Sequence, residues 1–391
     1  MTTIFEGLPV REKPEVSARD LSSIQNERVQ AMRDGGITAS RESYVGVTEN
    51  GKITPDLFPI RSTGVSTAPI KASAETFLAS LTPEQRAEAT FPIDSEKWQQ
   101  WSNVHMFLMR HGVCMEQMTE LQRENALGLM RATLSKAGFE TSLGIMHLNE
   151  TLREITGRNQ EFSDVLYWFS IMGEPSDTEP WGWQVDGHHL IINCFVLGDQ
   201  VVMSPQFYGS EPNIATAGKY EGTRVFDAEQ DRGLALMQSL DQGQQSKAIL
   251  MGEMPREVIV GAFRDNYDIS REGVRMDSFT ARQKELALSV VEAYAGRLRA
   301  DHAELWMNDI RQHLDETYLS WIGGTDDDAV FYYRIHSPVI LIEFDHQPGI
   351  ALAFDVPTRH HIHTILRVPN GNDYGKDLLR QHYEQHPHPV K

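Results

Sequence analysis

Residues 360–363 read His-His-Ile-His. Side chains alternate across a strand, so His361 and His363 project from one face, where two imidazoles can grip one cation. A second polar group flanks the apolar run Leu190-Ile-Ile: Asp186, His188 and His189 precede it and Asn193 follows. A third surrounds Ile340-Leu-Ile, with Arg334 and His336 before it and Glu343, Asp345 and His346 after it. An apolar strand should not hold unpaired ionisable groups, so these residues must find partners or do chemistry.

His188, His189, His336, His361, His363 and Glu343 form a pool of the ligand types that zinc, iron or manganese use in open catalytic sites; three or four of them would hold one divalent metal ion. Asp186 and Glu343 are the candidate catalytic carboxylates, with Asp186 also placed to orient a ligand histidine. Arg334 and Arg367 are candidate bidentate clamps on a substrate carboxylate, or else ion-pair partners of Glu343 and Asp373. Trp183 and Tyr333 are candidates for a substrate-stacking wall, or for ordinary core and strand pairing. The same cluster also reads as a metal-free hydrogen-bond network, or as a metal-free site with His336 or His189 as general base. Eight of the fifteen histidines fall in the last 56 residues, but His386 and His388, in Gln385-His-Pro-His-Pro, read as a solvated tail without a role.

The first functional expectation is therefore a metal-dependent enzyme acting on a small anionic organic molecule. Hydrolysis follows if zinc or manganese lowers the pKa of bound water; a non-haem iron or copper oxygenase is the alternative. A small-molecule binding protein without turnover, and a structural or homo-oligomer-forming protein, use the same residues differently. No HExxH, EF-hand loop, P-loop, GxGxxG or GxSxG pattern occurs, so the familiar local signatures name no substrate.

These residues need strands, and the strands need helices to bury them. Thr82-Pro83-Glu84-Gln85, Thr119–Gln122 and Thr280–Gln283 each place a capping threonine three residues before a glutamine, the start of a helix. Strands are expected near Trp181–Asp186, His189–Leu197, Gln200–Pro205, Val330–Ile335, Val339–Asp345, Ile350–Phe354 and His361–Val368. Asp227–Leu240 and Gln244–Met251 read as short helices. Shifted by 150 residues, the chain aligns with itself: Ser170 to Phe195 lies over Ser320 to Asp345, aromatic on aromatic and aliphatic on aliphatic. The expected fold is α+β, two diverged helix-then-strand units packed as a pseudo-twofold pair around a central cleft. The divisions are an extended N-terminal arm (1–70), a first unit (71–213), connecting helices and loops (214–275) and a second unit (276–391).

Composition bounds the partners. With 40% hydrophobic and 23% charged residues over 391 positions, the chain can bury a large core. A net charge of −19 disfavours nucleic acid, whose phosphates require clustered Lys and Arg. No apolar run is long enough for a membrane span, and the opening segment lacks a secretory pattern, so a cytoplasmic protein with a small-molecule substrate is expected. Cys114 and Cys194, the two cysteines, suit small buried apolar positions.

Taken together, Glu179–His189, Pro205–Pro212, Tyr332–His336 with Ile342–Asp345, and His361–His363 with Arg367 and Asn372–Gly375 resemble an uncharacterised family of bacteria and fungi. It carries the domain-of-unknown-function label number three thousand five hundred, DUF3500. The resemblance covers roughly residues 75–385 and implies that these residues belong to the family pattern, without bringing an established activity. Many members look secreted, which this chain's opening does not suggest. Ser337-Pro338 departs from the Gly-Pro turn expected there.

Overall fold

The computed structural model describes residues 8–13, 15–17, 26–104 and 108–386. His388, read as tail, lies outside them, as does part of the expected N-terminal arm. That arm is not wholly extended: it carries helix α1 (Glu27–Ala39), started by the Asn26 side chain, which accepts from the N–H groups of Arg28 and Val29.

The remaining helices are α2 (Ala68–Ser80), α3 (Pro83–Ala89), α4 (Glu120–Thr133), α5 (Lys136–Thr156), α6 (Asp227–Ser239), α7 (Gln242–Ala248), α8 (Ala281–Ala295), α9 (Ala300–Gln312) and α10 (Lys376–Gln385). All three expected capping boxes form, and Asp241 with Gln244 adds a fourth. The glutamines also tie helices together. Gln122 Nε2 donates to Ser80 O and to Gln85 Oε1, both at 2.8 Å; Gln283 Nε2 donates to Ser239 O and to Gln244 Oε1 at the same distances.

Among the described residues, eleven strands form one mostly antiparallel sheet. They are β1 (Thr90–Phe91), β2 (Val113–Cys114), β3 (Tyr167–Met172), β4 (Trp181–Gly187), β5 (Leu190–Leu197), β6 (Gln200–Ser210), β7 (Val274–Arg275), β8 (Tyr318–Gly323), β9 (Phe331–His336), β10 (Leu341–Gln347) and β11 (Thr358–Arg367). Their spatial order is β1-β3-β4-β5-β6-β11-β10-β9-β8-β7, with β2 beside β3. The strand expected at Ile350–Phe354 is absent. There the N–H groups of Ile350, Ala351 and Leu352 donate to the Glu211 carboxylate instead of to a neighbouring strand, leaving one isolated bridge between Val10 and Leu352.

Both faces of the sheet are buried, which is why its strands read as continuous apolar runs rather than alternating ones. Leu190, Ile192, Cys194 and Val196 of β5 face the core shared with α2, α4, α5, α6 and α8. Ile191, Phe195 and Leu197 face the other way, into a second core closed by α10 and by Val47, Trp98, Trp101, Val258 and Val260 from irregular segments. The polar strand residues gather on this second, loop-covered face: directly paired residues share a face, and Asp345 pairs with His363, Glu343 with Ile365 and with Arg334.

Candidate metal centre

His188 and His189 make the two-residue turn between β4 and β5, closed by the Gly187–Leu190 pair. His189 takes the left-handed conformation, φ +62°, which costs a non-glycine residue roughly 1 kcal/mol or more and marks a position the surroundings enforce. Its N–H donates to Asn103 O at 3.1 Å and its C=O accepts from Gly209 N–H at 2.8 Å. His361 and His363 enter from β11, where His363 pairs with Gly209 of β6. A Cβ at Gly209 would lie 2.9 Å from His363 Cδ2 and 3.1 Å from His189 Cδ2, so the missing side chain gives both imidazoles their room.

The three Nε2 atoms converge. His361 and His363 are 3.0 Å apart, His363 and His189 3.1 Å, His361 and His189 3.4 Å. All three rings are buried. Proton placement follows from the far side of each ring: His361 Nδ1 lies 2.7 Å from Pro348 O, and His363 Nδ1 lies 2.8 Å from Glu257 Oε1, so both must donate from Nδ1. Each Nε2 is then the ring atom left to face the others, an arrangement that a cation suits. A zinc ion bound at about 2.0–2.1 Å to each nitrogen sets tetrahedral ligand nitrogens about 3.3 Å apart, close to the spacing found. Burial holds His361 at about 4, against the pull of Glu211, so its ring is neutral as a ligand must be.

Carboxylates stand behind the rings. Burial pushes the Glu257 pKa up, but His363, together with hydrogen bonds from Val258 N–H and the Asn103 amide, holds it below the usual value, so it is ionised. Glu211 Oε2 lies 4.0 Å from His361 Nδ1. Asp345, paired with His363, is fully buried, and burial with Glu257 and Glu343 nearby raises its pKa well above the carboxylate range; its Oδ1 has no hydrogen-bond partner. Glu257 and Asn103 also line a surface groove of 410 Å³ beneath α1, bordered by Met32, Gly36, Val258 and Phe263.

The other pooled residues stand elsewhere. His188 stacks on His189 with ring centres 3.9 Å apart, and its Nδ1 meets Asn149 Oδ1 at 2.8 Å. His336, at the end of β9, is held near 3 by burial and by Arg334 and Arg271. Glu343 accepts from Ile259 N–H, Val260 N–H and Tyr332 O–H at 2.6, 2.8 and 3.0 Å, fastening the segment that carries Glu257. Asp186 is buried, its pKa raised well above the carboxylate range by desolvation, and accepts from the backbone of Ser102, next to Asn103.

Of the expected arginine clamps, Arg367 is enclosed by protein partners and Arg334 only partly so, its buried Nε having no hydrogen-bond partner among the described residues. Arg367 is fully buried and donates to Val260 O, Gly261 O, Asp265 and Asp373, so its ion pair with Asp373 is realised and no donor is turned to a substrate. Arg334 donates to Ser270 O and Glu272. Trp183 and Tyr333 point to the helix-covered face: Trp183 Nε1 donates to Thr133 Oγ1, and Tyr333 O–H meets Tyr294 O–H and Glu229 O. They belong to the core rather than to a wall beside the histidines. Glu257 and Asn103 escaped sequence reading because their segments carry no periodicity or motif; Glu211 lies in the Pro205–Pro212 run singled out above without a role of its own, and only the fold brings the three close.

Fold and site together define an α+β protein with a large antiparallel sheet and a buried histidine trio able to hold a metal ion. The chain belongs to the family described as a protein of unknown function, DUF3500, whose model matches residues 63–376. No curated protein and no solved structure matches it.

Proposed function

We propose that His189, His361 and His363 hold a divalent metal ion and that the protein is a metal-dependent enzyme acting on a small organic molecule, with hydrolysis as its chemistry. The observation that carries this reading is the approach of three Nε2 atoms within 3.4 Å of one another, with the Nδ1 atoms of His361 and His363 already turned to oxygen partners. Three neutral ligands leave the charge of a divalent ion undiminished, which favours lowering the pKa of bound water. The carboxylates Glu257 and Glu211 lie on the Nδ1 side of the rings, which disfavours the two-histidine, one-carboxylate triad of iron oxygenases. Arg367 is enclosed by its protein partners; the groove at Glu257, which Arg264 also lines, is the route in. Elemental analysis of untagged protein beside a His361→Ala/His363→Ala variant tests the reading. About one zinc or manganese per chain, lost in the variant, supports it; iron or copper moves the chemistry to oxygen; no metal after reconstitution contradicts it.

We further propose that the sheet arose by tandem duplication and that the metal lies where the two copies meet. Strand order reads alike outward from the central β6–β11 pair, and registers repeat: Trp168 pairs with Asp186 and, 150 residues on, Tyr318 with His336. The glutamine network joining α2, α3 and α4 recurs in α6, α7 and α8. The parallel contact Thr90–Ile171 recurs as Ile249–Trp321. On this reading the second copy starts at α6, and the first copy supplies His189 while the second supplies His361 and His363.

A further inference from the structure

At the other ends of β6 and β11 lies a cavity of 370 Å³, walled by Phe58, Val202, Met203, Trp306, Val339 and Leu378. Its roof is the segment 56–63, pinned by Arg61 to Asp309 at 2.7 and 2.9 Å and by Thr63 N–H to Asp199 at 2.9 Å. His302 of α9 also lines it, only 3% exposed, with Nε2 lacking a hydrogen-bond partner among the described residues. An unsatisfied buried polar atom destabilises the fold, and a ligand group placed there would recover that loss. Burial lowers the pKa of this histidine, and a hydrogen bond to the Ser66 backbone opposes that without reversing it. A backbone bond that favours the charged ring is one in which a carbonyl accepts the ring N–H, leaving Nε2 as a lone-pair acceptor.

We infer that this cavity is a second, metal-free ligand site for a small, largely apolar molecule carrying one hydroxyl or amine, which donates its proton to Nε2 of His302. Apolar walls with a few placed polar groups are the usual make-up of such sites; here Gln200, Asn372 and the Arg61–Asp309 pair also line the cavity, and His302 is the buried group among them with an unpartnered nitrogen. A second argument rests on the tandem reading proposed above. Phe195 pairs with Val202 as Asp345 pairs with His363, and Val339 follows His189 by 150 residues. Val202, Val339 and Gln200 thus stand where the other copy has His363, His189 and His361. The same place in the fold is furnished once for a metal and once for carbon.

Titration calorimetry of the full chain with 2-naphthol, and with 2-methoxynaphthalene as the analogue lacking a donor, tests the inference. The expected result is saturable binding of one 2-naphthol per chain, about tenfold tighter than the methyl ether. Leu305→Trp, at a half-buried wall position, should abolish binding while the thermal midpoint is kept. His302→Phe should remove the preference between the two probes, and His361→Ala/His363→Ala should bind as the wild type does. The inference is overturned if the wild type shows no saturable binding, if Leu305→Trp leaves it unchanged, or if it disappears with the metal-site histidines. None of these results decides the metal reading, which rests on elemental analysis; the last would place the probe at the histidine trio instead of in this cavity.

Discussion

His363 turns its Nδ1 to the carboxylate of Glu257, 2.8 Å away, and thereby its Nε2 towards His361 and His189. Glu257 stands behind the trio, and the same side chain lines the groove under α1.

Glu257→Gln keeps the shape and removes the charge. Partners of this kind tune ligand basicity, so metal affinity should fall about 10–100-fold with little change in the thermal midpoint of the metal-free protein. Chelator competition measures it; an unchanged affinity would make Glu257 a bystander.

Gly209→Ala places a Cβ against both His363 and His189. Overpacking typically costs about 1–3 kcal/mol, and here it must be met by moving two ligands. Both a lower unfolding free energy in urea and reduced metal content are expected. Loss of stability with full metal retention would mean that the rings relax away without disturbing the tripod.

Arg367 fastens the segment that carries Glu257, and Asp373, through four acceptors. Replacing it by Met leaves Asp265 and Asp373 without their buried counter-charge, a loss of about 3–5 kcal/mol. Denaturant melts should show this at neutral pH. A cost below about 1 kcal/mol would show the pair to be dispensable and return Arg367 to consideration as a substrate clamp.

His346 lies on the helix-covered face, accepting from Phe331 N–H at Nδ1 and meeting Gln230 Oε1 at Nε2, both at 3.0 Å. Burial, helped by Arg359, holds its pKa near 3, below the unfolded value of about 6.5. Above pH 6.5 neither state binds the proton. Below it the unfolded chain does and the native chain does not, so stability is lost as the pH falls towards the folded value. At pH 4 the loss from this one group is about 3 kcal/mol. His346→Gln should flatten the pH dependence of the unfolding free energy between pH 6.5 and 4; an unchanged slope would mean that His346 does not stay neutral when folded.

The strands that carry the site were legible because their residues are β-branched and aromatic, and because Asp186, His189, His361 and His363 interrupt or flank apolar runs. Three of the six pooled ligands meet. What the sequence withheld was the face each side chain occupies relative to its neighbours. Tyr333 pairs with Phe344 and so points away from Asp345, which pairs with His363. Strand β3 and its counterpart β8 went unread because six residues of mixed aromatic and polar type carry too little period. Ile350–Phe354 has strand composition, yet Glu211, 139 residues earlier in the chain, takes its N–H groups. Glu257 sits in an irregular segment whose position depends on Glu343 and Arg367, contacts no local pattern encodes.

The most direct test of the metal centre is anomalous X-ray diffraction from crystals of untagged protein, collected at the absorption edge of the metal found by elemental analysis. The account predicts one strong peak among the Nε2 atoms of His189, His361 and His363, with ligand distances of about 2.0–2.2 Å. A peak elsewhere, or three rings at the same spacing around no peak in metal-reconstituted crystals, would contradict it.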